Sequence, residues 1–530
     1  MATSPVGSGD LVTVHRRWTD SADARAAVVE RKAVIIAAGL SVVYWAVTCA
    51  LASRKLMWND ELYTYYIAHL PTMTDVWAAL MSRGEQTPPL FYVITRLSLR
   101  VFGENNLALR LPEILAFWAM IVCLFVVVAR RASPLPALCA MVLPLVSVAY
   151  HFAFDARPYA LVLGFSAIAL LSWQTVASGR FRVLGLVALT VSLAATFSTH
   201  YYGILVMLPL TLGELVRTLN LRRVDVAVWT ALTLAVTPLV WQFPLIRAGT
   251  AYAGAFWARP QWVNLPDFYS YLLYPMLVPL AAIVVIAGID RMITVRRGDL
   301  AGTRVSVPLQ EIAAACGFIA IPIVCVVLAK VATGAFTNRY ALPAIVGFAV
   351  LGGFTAAVAF SGRARMGLVA LMCLVGWYGL SQAREWRDPT NLSMPIRNAD
   401  LEASIDLLRS DPERRLPLVI ADPHNFTILS HYAPPDIRSR LVYLADPELA
   451  MKRLGHNSVE RGMLDLVKPW FRMNVADYNT FVAEHPRFLV YGNYGVLAFL
   501  NWLLPELQAR GMRIEFRGRR GEYWFFLASR

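Results

Sequence analysis

Over its first three quarters the chain alternates long apolar runs with short polar ones. Apolar stretches fall at residues 33–52, 111–129, 135–153, 159–178, 183–199, 202–216, 226–246, 268–289, 312–335, 340–360 and 366–382. Most approach the roughly 20 residues that a helix needs to cross a bilayer, so the pattern predicts about eleven transmembrane helices. One polar interval, residues 54–110, is far longer than the rest. Within it Met73, Val76, Trp77, Leu80 and Met81 recur at helical spacing, and Leu90, Val93, Ile94 and Leu97 repeat the pattern. Amphipathic helices of this kind lie flat in a membrane interface. After residue 382 the pattern changes. Short β-like runs at 416–421, 440–445, 487–492, 512–517 and 523–528 are separated by helical patterns, notably Val496–Arg510. Such alternation predicts a small α/β domain able to bury one core. Three parts result: a polar segment 1–32, a membrane domain 33–382 with an interfacial floor within 54–110, and a C-terminal α/β domain 383–530.

Composition removes the soluble alternatives. The 530 residues are 57% hydrophobic and only 16% charged, with mean hydropathy +0.52. A net charge of +14 would point to nucleic acid in a soluble chain. Here the basic residues cluster between apolar stretches, at Arg31-Lys32, Arg130-Arg131, Arg180/Arg182, Arg217/Arg222/Arg223, Arg291/Arg296/Arg297 and Arg363/Arg365. They occupy every second loop, as the positive-inside rule requires of cytoplasmic loops. The expected partner of this charge is the lipid bilayer, with no role for nucleic acid. The opposite loops, with Asp60-Glu61, Asp155, His200 and Thr337-Asn338-Arg339, then lie outside the cytoplasm. An odd number of spans puts residues 383–530 outside as well. The six cysteines all sit in apolar stretches, which argues against a disulfide framework. The polar start and the long first apolar run do not read as a cleavable signal peptide.

The outer loops carry the candidate chemistry. Asp60-Glu61 follows the first span within eight residues, and a carboxylate there can act as general base toward a hydroxyl; a solvated charge pair is the plain alternative. Arg54 and Lys55 just before it fit phosphate ligands or interfacial anchors. Asp155-Ala156-Arg157-Pro158-Tyr159 pairs a carboxylate with a guanidinium, suited to a sugar hydroxyl and a phosphate or to a local ion pair. Thr199-His200-Tyr201-Tyr202-Gly203 offers one histidine among aromatic residues, without a second ligand at metal spacing. Lys330 is a charge within an apolar stretch, functional by default or snorkelling to the surface. Arg339, in Thr337-Asn338-Arg339-Tyr340-Ala341-Leu342-Pro343, suits phosphate because a guanidinium fork matches its oxygens. No Gly-rich phosphate loop or metal-ligand spacing is seen in the C-terminal domain.

In their order along the chain these motifs resemble those of the GT-C membrane glycosyltransferases. The segments that carry the resemblance are Asp60-Glu61-Leu62-Tyr63-Thr64, Thr87-Pro88-Pro89-Leu90-Phe91-Tyr92, Phe102-Gly103-Glu104 and Leu109-Arg110-Leu111-Pro112, followed by the Asp155, His200 and Arg339 stretches. The nearest branch is that of the protein O-mannosyltransferases and lipid A aminoarabinose transferases. The likeness covers roughly residues 30–345. It implies a GT-C-like fold, a lipid-linked sugar donor, an extracytoplasmic active site and inversion at the anomeric carbon. It also implies an acidic first-loop residue as general base, which carries to Asp60 with Glu61 beside it, and a second acidic position at Asp155. Many relatives have His before the Pro-Pro pair where this chain has Thr87, so no role of that His transfers, and a divalent metal is left open.

The resulting expectation is a polytopic α-helical enzyme of the bacterial inner membrane. It would be a hexosyl- or pentosyltransferase that moves a sugar from a polyprenyl-phosphate donor to an envelope glycan, lipid or protein. Asp60, Glu61 and Asp155 would be catalytic. Arg54, Lys55, Arg157, Tyr159, His200, Tyr201, Lys330, Arg339 and Tyr340 would bind substrate. The other classes are a transporter or flippase of lipid-linked sugars, which more often shows internal repeats and midplane charges, and a non-catalytic envelope assembly protein.

Overall fold

The computed structural model describes residues 24–250, 253–296, 306–361, 363–387, 398–495 and 500–530. Nine helices among them are long and apolar enough to cross a membrane. The other two of the expected spans depart from that form. Residues 135–153 are a bent pair, Pro134–Val146 and Val148–Phe154, turned by 74°. Residues 340–360 hold the shorter helix Ala344–Ala359. The bend has a local cause. The Ser147 hydroxyl donates to the Pro144 carbonyl at 2.8 Å and accepts from the Ala149 N–H, which replaces a helical turn. The bend delivers Asp155-Ala156-Arg157 to the first loop. Close helix approach relies on small residues: a Cβ on Gly164 would lie 2.5 Å from the Ala116 carbonyl oxygen. Large apolar residues such as Ile35, Val42, Val183, Val187 and Val240 remain exposed on the bundle surface, as lipid-facing positions should.

The two ends of the bundle differ in chemistry. Tyr159–Ala177 spans about 28 Å at helical rise. At its start are Asp155, Arg157 and Tyr159. At its far end Arg130 donates to Thr175, Arg131 pairs with Glu311, and Arg182 and Arg217 both pair with Asp225. Three of the six expected basic clusters therefore gather away from the outer-loop motifs.

Three helices build the long first loop: Asn59–Ala68, Met73–Met81 and Pro89–Phe102. Thr72 and Asp75 form a capping box at the second. Pro89 starts the third, and Gly103 at φ +84° ends it. The third helix packs through Phe91, Tyr92, Thr95, Ser98 and Leu99, while Val93, Leu97, Val101 and Phe102 face outward. That unpartnered apolar face is what a helix resting on a bilayer needs.

The C-terminal domain is a six-stranded mixed sheet: β1 Leu418–Ile420, β2 Leu441–Ala445, β3 Val475–Asp477, β4 Arg487–Asn493, β5 Arg513–Arg520 and β6 Tyr523–Ser529. Their order is β3-β2-β1-β4-β6-β5, parallel from β3 to β4 and antiparallel at β6 and β5. Five strands fall where the sequence predicts them; β3, three residues long, does not stand out. The helix expected over Val496–Arg510 is Leu503–Ala509, with residues 496–499 outside the described set. The one core expected of this domain is split in two. One sheet face packs with Phe481, Leu503 and Leu507 of its own domain. The other shares a core with Leu62, Ile67, Val76 and Phe91 of the first loop. The helix after β1, Pro423–Tyr432, lies on the shared face, whereas Leu503–Ala509 after β4 lies on the other. The carboxyl ends of β1 and β4 are thus a topological switch point, where α/β sheets form crevices.

Candidate active site

The first turn of Asn59–Ala68 carries both acidic residues of the first loop, but it sends them to different places. Glu61 is fully buried. Arg110 donates to both its oxygens at 2.7 Å, and the Ala156 N–H donates at 2.7 Å. Arg110 also donates to the carbonyls of Ala52, Lys55 and Leu56, so it ties the end of the first span to the second. Beside this pair, the Lys55 ammonium and the Trp58 indole each donate to Asp155 Oδ1 at 2.7 Å. Burial pushes the Glu61 carboxyl up, but Arg110 and Lys55 outweigh it and hold it at about 2. Asp155 is raised, because burial outweighs the attraction of Lys55. Glu61, Lys55 and Asp155 together form a clamp beneath the site, and none of them lines its cavities.

Asp60 faces the other way, into a cavity of about 350 Å³. Arg339 donates to its Oδ2 at 2.7 Å. Burial raises the Asp60 carboxyl, yet Arg339, Arg157 and His424 bring it down to about 2, so it is ionised at neutral pH. The C-terminal domain helps to aim it. Thr427 donates to Asn59 Oδ1 at 2.7 Å, and the Asn59 amide donates to Asp60 Oδ1 at 3.3 Å. Arg157 donates to Glu85 at 3.1 Å on the same cavity. Glu85 in turn accepts from Gln86 N–H, Thr87 N–H and the Thr87 hydroxyl, which fixes the turn before Pro88-Pro89. The Arg339 guanidinium lies over the rings of Trp58 and Tyr159, at 5.7 and 5.6 Å.

A second cavity, of about 120 Å³, opens against the first. Arg83, Glu85, Gln86 and Tyr340 line both. His200, Tyr201, Tyr202, Leu245 and Ile246 complete much of the smaller wall. Tyr202 and Tyr340 stack at 4.7 Å, and His200 sits 4.9 Å from Tyr340. The larger cavity is closed from the C-terminal domain by Pro423, His424, Ser458 and Leu500. His424 lies just past the carboxyl end of β1, at the sheet's switch point.

The structure therefore gathers Asp60, Arg157, Tyr159, Arg339 and Tyr340 around one cavity and His200 and Tyr201 around its annex. It places Glu61, Lys55 and Asp155 in the clamp. Two expected ligands lie outside both cavities: Arg54 is exposed over the Trp386 ring at 4.1 Å, and Lys330 is exposed over Trp262 at 5.1 Å. Glu85 and Arg83 line both cavities without being among the expected residues, although both lie within six residues of the Pro88-Pro89 pair. His424 had no local signal, since it meets Asp60 from 364 residues away. Among the described residues no three His, Cys, Asp or Glu side chains converge as a metal-ligand set.

The family model described as dolichyl-phosphate-mannose-protein mannosyltransferase matches residues 86–242. No curated protein matches the chain. The crystal structure of ArnT from Cupriavidus metallidurans in the apo state is similar over 93% of this chain and 97% of its own, with TM-score 0.53 and 14% identity. The same enzyme bound to undecaprenyl phosphate gives TM-score 0.51 over the same shares, again at 14% identity. The whole-chain likeness shows that this protein has the fold of ArnT, and the local family match lies largely within the part of the chain that shares it.

Proposed function

We propose that the protein is an inverting glycosyltransferase of the bacterial inner membrane. It moves a sugar from a polyprenyl-phosphate donor to a hydroxyl of an envelope glycan, lipid or protein on the extracytoplasmic face. The observation that carries this reading is the placement of Asp60: an ionised carboxylate on a cavity wall, with arginines facing it and an annex opening beside it. In this reading the acceptor occupies the larger cavity and the donor lipid enters by the annex, where Tyr201, Leu245 and Ile246 offer apolar surface. Arg157 and Arg339 border the phosphate.

The acceptor oxygen attacks the anomeric carbon as its proton passes to Asp60. The bond from that carbon to the phosphate oxygen breaks, and its electron pair leaves on the polyprenyl phosphate. Negative charge builds on that leaving group, and guanidinium groups already in place stabilise it without reorganisation. Asp155 serves this chemistry by holding Trp58 and Lys55, and Glu61 by joining the two spans. The fold of the ArnT complex with undecaprenyl phosphate supports the donor class. The test is sugar transfer from a synthetic polyprenyl-phosphate donor by purified parent and Asp60→Asn. Near-parental turnover by folded Asp60→Asn would remove Asp60 as the base.

A further inference from the structure

Five ionised side chains line the larger cavity, and four of them are already paired. Arg339 is bound to Asp60 and Arg157 to Glu85. Among the described residues the fifth, Arg83, has no carboxylate partner and lines both cavities. His424 adds no charge to this balance at neutral pH, since burial pushes its imidazole down. The wall therefore carries one uncompensated positive charge, at the junction where donor and acceptor must meet. A polyprenyl-phosphate sugar is a phosphodiester with a single negative charge.

The backbone singles out the same residue. Arg83 has φ +74°, a left-handed conformation that suits glycine and strains a residue that carries a Cβ. Gly84 follows it and is held from the other side. A Cβ there would stand 2.5 Å from Leu466 Cβ and 3.3 Å from Gly462 Cα, so the C-terminal domain presses directly on this turn. A strained residue persists where its surroundings over-determine it, and such positions cluster at ligand clamps.

We infer that Arg83 is a direct ligand of the donor phosphate beside Arg157 and Arg339, held at the junction of the two cavities as the one cation on this wall without a carboxylate partner among the described residues. The inference rests on the proposed function and deepens it. After transfer the polyprenyl phosphate becomes a monoester with up to one further negative charge. Arg83 is thus placed where charge grows as the carbon–oxygen bond breaks.

The experiment compares full-length parent, Arg83→Gly and Arg83→Lys in lipid nanodiscs. Binding of polyprenyl monophosphate, of the phosphate-free polyprenol and of inorganic phosphate is measured together with thermal stability. Arg83→Gly relieves the backbone strain while it removes the guanidinium. The expected result is stability equal to or above the parent, with polyprenyl monophosphate bound about tenfold or more weakly, as loss of a charge-assisted contact dictates. Polyprenol binding should be unchanged, and Arg83→Lys should recover part of the loss. Parental affinity in Arg83→Gly, or weakening only toward inorganic phosphate, overturns the assignment and leaves the proposed function standing. A marked loss of stability in Arg83→Gly overturns it too, in favour of a structural role. A parent that binds no polyprenyl monophosphate overturns the donor reading itself.

Discussion

The cavity around Asp60 and the clamp around Glu61 are built from the same materials: a carboxylate on one helical turn, an arginine from a distant segment and a second acidic partner. They differ in access. The side chains of Asp60 and Arg339 keep 19% and 22% exposure, whereas those of Glu61 and Arg110 keep none. Where water and ligand can reach an ion pair, the arginine can be shared with an incoming anion. Where they cannot, the pair is a rivet whose value appears only when one half is removed. Adjacent carboxylates in sequence are therefore not interchangeable.

The largest expected effect is on the open pair. Asp60→Asn should lower turnover about 10²–10⁴-fold, the usual cost of losing a general base, with the melting temperature of the parent. The sealed pair should behave in reverse. Glu61→Gln strands a buried guanidinium and should destabilise the protein by about 3–5 kcal/mol, measured by thermal or denaturant unfolding in detergent. The double variant Glu61→Gln/Arg110→Met should regain much of that stability, since no charge is then left unpaired. Stable Glu61→Gln with impaired turnover would erase the distinction between the two sites.

A third carboxylate separates burial from the charge of the partner. Glu460 is buried against neutral donors, Tyr443 OH at 2.6 Å and Trp502 Nε1 at 2.9 Å. Burial pushes its carboxyl up to about 7. A raised carboxyl binds its proton more tightly in the folded state. Glu460 therefore disfavours folding progressively as pH rises from 4.5 to 7, and by a constant amount above that. Glu460→Gln should stabilise the C-terminal domain at pH 8 by roughly 3 kcal/mol or less and leave it little changed at pH 4. Melting curves at the two pH values test this. The smallest effect concerns the Arg83-Gly84 turn on the wall of the open cavity. Gly84→Ala meets Leu466 and should cost about 1–3 kcal/mol by overpacking, with a higher KM for the donor at nearly unchanged kcat.

Much of this was legible in the chain because its causes are local. Apolar length marked the membrane helices, alternation marked five of the six strands, and the motif order pointed to Asp60, Arg157 and Arg339. Hidden were the features set by contacts between distant segments. Nothing near Glu61 shows that Arg110 will seal it. Nothing near Asp155 shows that the 74° bend will lead it to Lys55 instead of a cavity. Lys330 looked functional because a charge in an apolar run is rare, but a turn after Leu328 carries it out to Trp262. Glu85 could have been found, since its place one residue before Gln86-Thr87-Pro88-Pro89 falls within the motif's reach.

The sheet face that packs on the first loop has a consequence for exchange between related proteins. A chimera that replaced only residues 398–530 would import a surface moulded to another protein's Leu62, Val76 and Phe91. The heritable unit is discontinuous: the loop from Leu56 to Phe102 and the C-terminal sheet must change hands together. A graft that carries both pieces should fold on a foreign helix bundle that keeps an arginine at the Arg110 position to pair with Glu61, and a graft of either alone should leave an apolar face bare and be degraded.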